Sequence, residues 1–384
     1  MCFYSFERKQ SIIMADIPRK LIVPKNVTDA LREVKYPGSN EDIVSLDMAQ
    51  EIRIAGQRVS FSLVFQKSDD PNIELLVLEC EKAVKKHLGG HVEIEDNIAV
   101  KFLHDMERPV LPKVKNILAI ASGKGGVGKS TVAVNLAVAL ANSGAKTGLI
   151  DADIFGPSIP KMFGSEGDRP TGERVDGHEM INPVEKYGVK FLSVGFFVDT
   201  ESAIIWRGPM ASNALKQLIS EGNWGELDYL LVDLPPGTSD IHLTLVQSVP
   251  VTGAIIVTTP QDVALADVIR GTSMFQSKSI DVPVIGLIEN MSWFTPAELP
   301  ENKYYIFGKD GGKKLAGKLG LKLLGQIPIV QSIREGGDSG TPVAADSDSV
   351  TGTAFAGIAK SVIHQVHLRN IQKAPTKKVK ITRK

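Results

Sequence analysis

The chain has 384 residues, room for about two to three domains, and its 44 basic residues balance its 44 acidic ones, so no global field recruits nucleic acid or a membrane. With 43% hydrophobic residues it can bury a sizeable core. Two cysteines, Cys2 and Cys80, exclude a disulfide framework and fit a reducing, cytoplasmic compartment, and the absence of an apolar run of about 18 residues excludes a membrane-spanning helix.

Residues 1–27 read as an N-terminal extension. Its first residues carry charge in their middle and lack an apolar h-region, so they are not a signal peptide. Met14 offers an alternative start that would remove Cys2. Residues 28–104 read as a small α+β domain. Thr28–Val34 is helix-like until Tyr36-Pro37-Gly38 breaks it. Ile43–Ile54 and Arg58–Phe65 alternate as two strands around Ala55-Gly56-Gln57, which predicts a hairpin. Ile73, Leu76, Val77, Cys80, Val84 and Leu88 then fall on one helical face, stopped by Gly89-Gly90 and followed by a strand over His91–Phe102. Within that stripe Cys80 reads as a small core residue.

Residues 105–115, with Pro109 and Pro112, read as a semi-stiff linker. Over 116–368 near-continuous apolar strands alternate with helices. The strands are Ile117–Ala121, Thr147–Ile150, Val189–Val194, Tyr229–Val232, Ala254–Thr258, Val284–Ile288 and Leu323–Ile327. Strands buried on both faces predict an α/β fold, a doubly wound parallel sheet. His364 and His367 on the last helix have no cysteine partner and read as a solvated pair. Residues 369–384 hold seven basic residues (Arg369, Lys373, Lys377, Lys378, Lys380, Arg383, Lys384) and no acidic one, which leaves the rest of the chain at −7. They read as a disordered, solvated tail without an amphipathic, membrane-binding face.

The chemistry concentrates after the first strand of the large domain. Gly123-Lys124-Gly125-Gly126-Val127-Gly128-Lys129-Ser130-Thr131 stands between a strand and a helix, the context a phosphate-binding P-loop requires. Its glycines let backbone N–H groups converge on phosphate oxygens beside a positive helix N-terminus. Lys129 is expected on the β- and γ-phosphates of ATP, and Ser130 on Mg²⁺. Asp151 and Asp153 close the second strand and open Ile154-Phe155-Gly156-Pro157-Ser158; carboxylates at that end of a parallel strand face the ligand crevice. They suit Mg²⁺, directly or through water, or the attacking water. Asp233 repeats the pattern before Leu234-Pro235-Pro236-Gly237-Thr238, with a water-mediated Mg²⁺ role for Asp233 and a switch role for Gly237. Asn290 is placed to hydrogen-bond the base, as is Ile327-Pro328-Ile329.

The second loop lysine, Lys124, resembles the mark of the deviant-Walker ATPases, a group that includes nitrogenase iron protein and partition ATPases. That likeness implies a nucleotide-sandwiched homodimer in which Lys124 reaches the partner's phosphates. Ser122–Thr131, Asp151–Ser158, Trp206–Met210, Asp233–Asp240, Glu289–Ser292 and Tyr305–Gly308 together resemble the Mrp/ApbC P-loop ATPases that carry iron–sulfur clusters. The match runs over roughly residues 116–365, and 28–104 looks like the small domain that often precedes it. The resemblance implies an ATPase that holds a [4Fe–4S] cluster at a homodimer interface and hands it to apoproteins. The family's ligands are a Cys-x-x-Cys pair between Asn-Met-Ser and Tyr-Ile-Phe-Gly; here Trp293–Tyr304 contains no cysteine, and Thr295-Pro296 stands near the expected Cys-Pro. Two functions stay open: an ATP-hydrolysing carrier that holds its cluster by other ligands, or a nucleotide-switched scaffold or partition-type ATPase that binds none.

Overall fold

The computed structural model describes residues 22–39, 41–65, 70–89, 92–94, 98–102, 110–154, 156–175, 177–197, 208–296, 298–299 and 301–379. Cys2, Met14, the linker as far as Pro109, Phe155, Trp206, Arg207, Lys380, Arg383 and Lys384 lie outside the described residues. Two compact units divide between residues 109 and 110.

In the first unit α1 (Pro24–Leu31) begins inside the stretch read as an extension. Pro24 sits at the first helical turn, where its missing N–H costs nothing, and the Asn26 side chain accepts the Val23 N–H at 3.3 Å. Residues 41–48 turn rather than extend, because Asp42 Oδ1 accepts the N–H groups of Val44 and Ser45 at 3.0 and 2.8 Å. The first strand therefore starts only at β1 (Ala49–Ala55), antiparallel to β2 (Arg58–Phe65). After α2 (Ile73–Leu88), the strand expected over 91–102 is two short ones, β3 (Glu93–Ile94) and β4 (Ala99–Phe102), each parallel to β2. Leu31, Phe61, Leu63, Leu76, Cys80 and Val84 form the core.

The second unit runs β5 (Val114–Ser122), α3 (Lys129–Asn142), β6 (Thr147–Asp151), α4 (Ile159–Met162), β7 (Thr171–Val175), β8 (His178–Asn182), β9 (Val184–Lys186), β10 (Val189–Ser193) and α5 (Gly208–Ser220). It continues with β11 (Leu227–Asp233), α6 (Asp240–Ser248), β12 (Gly253–Thr258), α7 (Asp262–Phe275), β13 (Val284–Glu289), α8 (Gly311–Leu319), β14 (Leu323–Gln326), α9 (Gln331–Ser339) and α10 (Val350–Gln372). Eight strands order as β14-β13-β12-β5-β11-β6-β10-β9, parallel except at β9. β7 and β8 form a separate hairpin.

All seven strands expected for the large domain are present, and their both-face burial is the reason. On one face α3 and α10 pack through Val132, Leu136, Leu140, Phe355, Ile358 and Val362. On the other, α5 to α8 pack through Leu215, Leu218, Leu245, Val268, Phe275 and Leu315. α3 is apolar nearly all round, as a helix buried between sheet and α10 must be. β5 lies centrally, and the chain leaves it toward β6 on one side and β12 on the other. The crevice at such a switch point, at the strands' carboxyl ends, is where ligands bind in open α/β sheets.

The tail departs from expectation. α10 continues through Gln372, Arg369 Nη2 donates to the Ala374 carbonyl at 3.0 Å, and the Val379 N–H donates to the Val246 carbonyl at 2.9 Å. Val379 also packs against the apolar core, so the described part of the tail is held at its two ends while Lys373, Lys377 and Lys378 stay exposed.

Candidate functional site

The loop leaving β5 delivers its glycines to the mouth of the sheet. Gly128 takes φ +79° as the N-cap of α3, and a Cβ there would stand 2.4 Å from Asn290 Nδ2. At Gly123 a Cβ would meet the Asp267 backbone at 2.5 Å, so α7 approaches the loop only because that side chain is missing.

Parallel register sets the carboxylates. Asp233 of β11 pairs directly with Asp151 of β6, so both stand at the crevice end of neighbouring strands. Lys129 Nζ, 7% exposed, donates to Asp233 Oδ1 at 2.7 Å and lies 3.7 Å from Asp153 Oδ2. Ser130 Oγ donates to Asp233 Oδ2 at 2.6 Å. One carboxylate thus holds both groups that the motif assigns to phosphate and metal. Burial raises the Asp233 carboxyl, and the Lys129 ammonium opposes that rise.

Asp151 is fully buried, and burial followed by the Asp233 charge pushes it up to about 7. It accepts from Ser193 Oγ at 2.9 Å, the Asp153 N–H at 3.2 Å and the Ile159 N–H at 3.3 Å. These contacts shape the loop that presents Asp153. Ser193 is a residue that sequence reasoning missed, its only signal being its place at the end of an apolar strand.

A cavity of about 230 Å³ opens over the loop, lined by Lys124, Gly126, Lys129, Ser130, Thr131 and Asp153 among others. That is below the ~300–1,000 Å³ that encloses a whole drug-sized ligand, and suits the phosphate end of a nucleotide. Asp151 and Asp233 are fully buried and absent from its lining. Lys124 Nζ donates to Gln261 Oε1 at 3.3 Å.

Asn290, expected near the base, contacts the P-loop. It is buried, its Nδ2 donates to the Val127 carbonyl at 2.9 Å, and its Oδ1 accepts the Met291 N–H at 3.0 Å. Being within reach of the P-loop backbone, the amide clamps the loop.

The oxygen donors of Ser130 and Asp153, which line the cavity, fit Mg²⁺, which binds through one or two carboxylates, water and substrate phosphates, while both oxygens of the buried Asp233 are held by Lys129 and Ser130. No group of three or more His, Cys, Asp or Glu able to hold a metal is found among the described residues. Cys80 is wholly buried, and burial pushes its thiol up to about 12, far from a reactive thiolate. Over 291–306 Phe294 and Tyr304 exchange backbone hydrogen bonds at 2.8 Å, and Lys303 Nζ stands 4.3 Å from the Trp293 ring centroid. No helix among the described residues is long and apolar enough to cross a membrane.

Residues 113–363 match the family described as NUBPL iron-transfer P-loop NTPases, and residues 24–95 match one described as iron–sulfur cluster assembly proteins. An iron–sulfur cluster carrier protein of Synechocystis is 45% identical over 346 residues, 89% of this chain and 97% of the relative. An iron–sulfur cluster transfer protein, NUBPL, of Dictyostelium discoideum is 48% identical over 259 residues, 67% of this chain and 78% of the relative. A solved nucleotide-binding protein from Archaeoglobus fulgidus, in complex with ADP, superposes with a TM-score of 0.55 at 34% identity, over 66% of this chain and 96% of its own. A P-loop with its buried lysine–aspartate pair, on a central parallel strand and inside matches of this extent, settles the family: the chain belongs to the NUBPL iron-transfer P-loop NTPases.

Proposed function

We propose that this protein is an ATP-hydrolysing iron–sulfur cluster carrier in which turnover at the P-loop drives delivery of the cluster to apoproteins. The observation that carries it is the Lys129–Asp233–Ser130 cluster under the P-loop. Arriving phosphates compete with Asp233 for the Lys129 ammonium, so nucleotide binding and the arrangement of the Asp233–Asp240 loop are one equilibrium. Bound Mg²⁺ supplies charge neutralisation at the β- and γ-phosphates. Asp153, the acidic residue lining the cavity, orients the attacking water, whose oxygen bonds to the γ-phosphorus as the bond to the β-phosphate oxygen breaks. Lys124 acts in a homodimer, reaching the partner's phosphates after leaving Gln261, and stabilises the charge that develops there.

The cluster is cargo, and its ligands differ from the expected pair. Thiolates hold iron–sulfur clusters, residues 291–305 supply none, and Cys80 is buried. We assign the missing ligands to the receiving protein or to small thiols. The same cysteine-free segment favours the second reading, a dimeric nucleotide-switched scaffold. Anaerobic reconstitution, gel filtration and iron counting test the assignment. The protein alone should bind little iron and transfer clusters only with added small thiol or acceptor. About four irons per dimer, unchanged by Cys80→Ser, would overturn the ligand assignment, while no ATP-dependent transfer under any condition would leave the scaffold reading.

A further inference from the structure

Helix α8 and its flanks carry a cluster of exposed lysines. Residues 303–322 hold six lysines (Lys303, Lys309, Lys313, Lys314, Lys318, Lys322) against one acidic residue, Asp310, in a chain whose charges balance overall. Lys313 and Lys314 stand in the first turns of α8, the positive end of the helix dipole, where Asp310 is the N-cap and the buried Glu289 carboxylate accepts the Gly312 N–H. Lys314 and Lys318 are four apart on one face, where like charges repel. Some lysines elsewhere, such as Lys85, Lys86, Lys101, Lys115, Lys146, Lys161 and Lys186, make an ion pair. Lys309, Lys313, Lys314, Lys318 and Lys322 are exposed and make no ion pair with a described residue.

Three of these lysines edge a groove. A cavity of about 430 Å³ runs between the start of α7 and α8, with Leu265, Phe307 and Leu315 among its apolar lining and Lys309, Lys314 and Lys318 around it. Asp262 is the one acidic residue in the lining. Gly311 makes the groove possible: a Cβ there would stand 2.2 Å from the Pro260 carbonyl, so α8 closes on that segment only without one.

We infer that this groove docks an acidic segment of a partner protein, its carboxylates on the lysines and its aliphatic side chains on the Leu265–Phe307–Leu315 floor. A second copy of this chain seated through the same face would oppose like charges. A single-stranded nucleic acid would stack its bases on exposed rings, and the ring lining the groove, Phe307, is half-buried. The inference is independent of the ATPase reading, because neither Lys314 nor Lys318 lines the P-loop cavity.

The test is fluorescence anisotropy of the full-length protein with a fluorescein-labelled peptide of repeated glutamate-glutamate-leucine triplets. Wild type should bind it, and Lys314→Glu with Lys318→Glu should raise Kd at least about tenfold while leaving ATP hydrolysis unchanged. Raising salt from about 50 to about 300 mM should weaken binding similarly. Lys278→Glu, an exposed lysine outside the groove, should change nothing. Any of four results would overturn the proposal: no binding by wild type, equal binding by the double variant, equal binding of the glutamine-glutamine-leucine peptide, or tighter binding of single-stranded RNA lost in the same variant. A changed self-association constant in the double variant would assign the groove to a second copy and overturn it as well.

Discussion

Asp233 has two partners at once, and its removal separates two roles. Asp233→Asn should cut kcat for ATP on the order of 10²–10³-fold, because Lys129 and Ser130 lose the carboxylate that positions them. It should also lower stability by roughly 1–3 kcal/mol, since the buried ammonium keeps only Asp153, 3.7 Å away, as its charged partner among the described residues; steady-state kinetics and chemical denaturation check the two effects. Lys129→Ala should abolish hydrolysis and weaken nucleotide binding together. His242 gives the pH dependence. Its Nδ1 accepts the Ser239 N–H at 3.2 Å, the place a Gln or Glu takes in a capping box, and so holds the end of the Asp233–Ser239 loop to α6. The remaining proton then sits on Nε2, which is buried without a hydrogen-bond partner. Burial lowers its pKa to about 4 from 6.5, with the Lys129 charge adding to the effect. Stability from neutral His242 is therefore complete above about pH 6.5 and lost as pH falls toward 4, by at most about 3 kcal/mol. His242→Gln should flatten that slope and keep the cap, whereas His242→Leu should flatten it and lose about 1 kcal/mol of capping; an unchanged slope in His242→Gln would contradict this.

Between elements, the P-loop is held from β13. Asn290 joins the strand end to the Val127 carbonyl, so Asn290→Ala should raise the KM for ATP several-fold and cost about 1–2 kcal/mol, while kcat at saturation changes little. A fall in kcat without a change in KM would place the residue in the chemistry instead. This clamp was not legible in the sequence, where an asparagine after a strand reads as a base contact or a turn former. The strands of the large sheet were legible, because apolar runs such as Leu230–Val232 can only be buried on both faces. The P-loop was legible for the same kind of reason, since its spacing and its strand–helix context constrain each other. What depended on tertiary contact was missed. The β7–β8 hairpin has its signal in Asp176-Gly177, a turn pair flanked by short strands too polar to stand out. Val379 anchors the tail from within a run of lysines, where charge dominates any pattern. Asp42 delays the start of a predicted strand by side-chain hydrogen bonds that periodicity does not contain.

At the scale of the molecule, the nucleotide site and the cargo site part company. The buried ion pair, the P-loop and Asp153 stand together at one site, whereas the segment where the resemblance places two cysteines has none. We propose that this chain contributes the ATPase and its dimer switch, with cluster ligation shared with another molecule. Lys124 is where these claims meet, because it stands on its own Gln261 yet is assigned to a partner's phosphates. The most direct measurement is ATP turnover by Lys124→Ala beside wild type, with nucleotide binding and sedimentation followed on the same samples. The account predicts retained ATP binding, hydrolysis reduced on the order of 10²-fold or more, and no ATP-dependent dimer. Wild-type turnover by Lys124→Ala would contradict it.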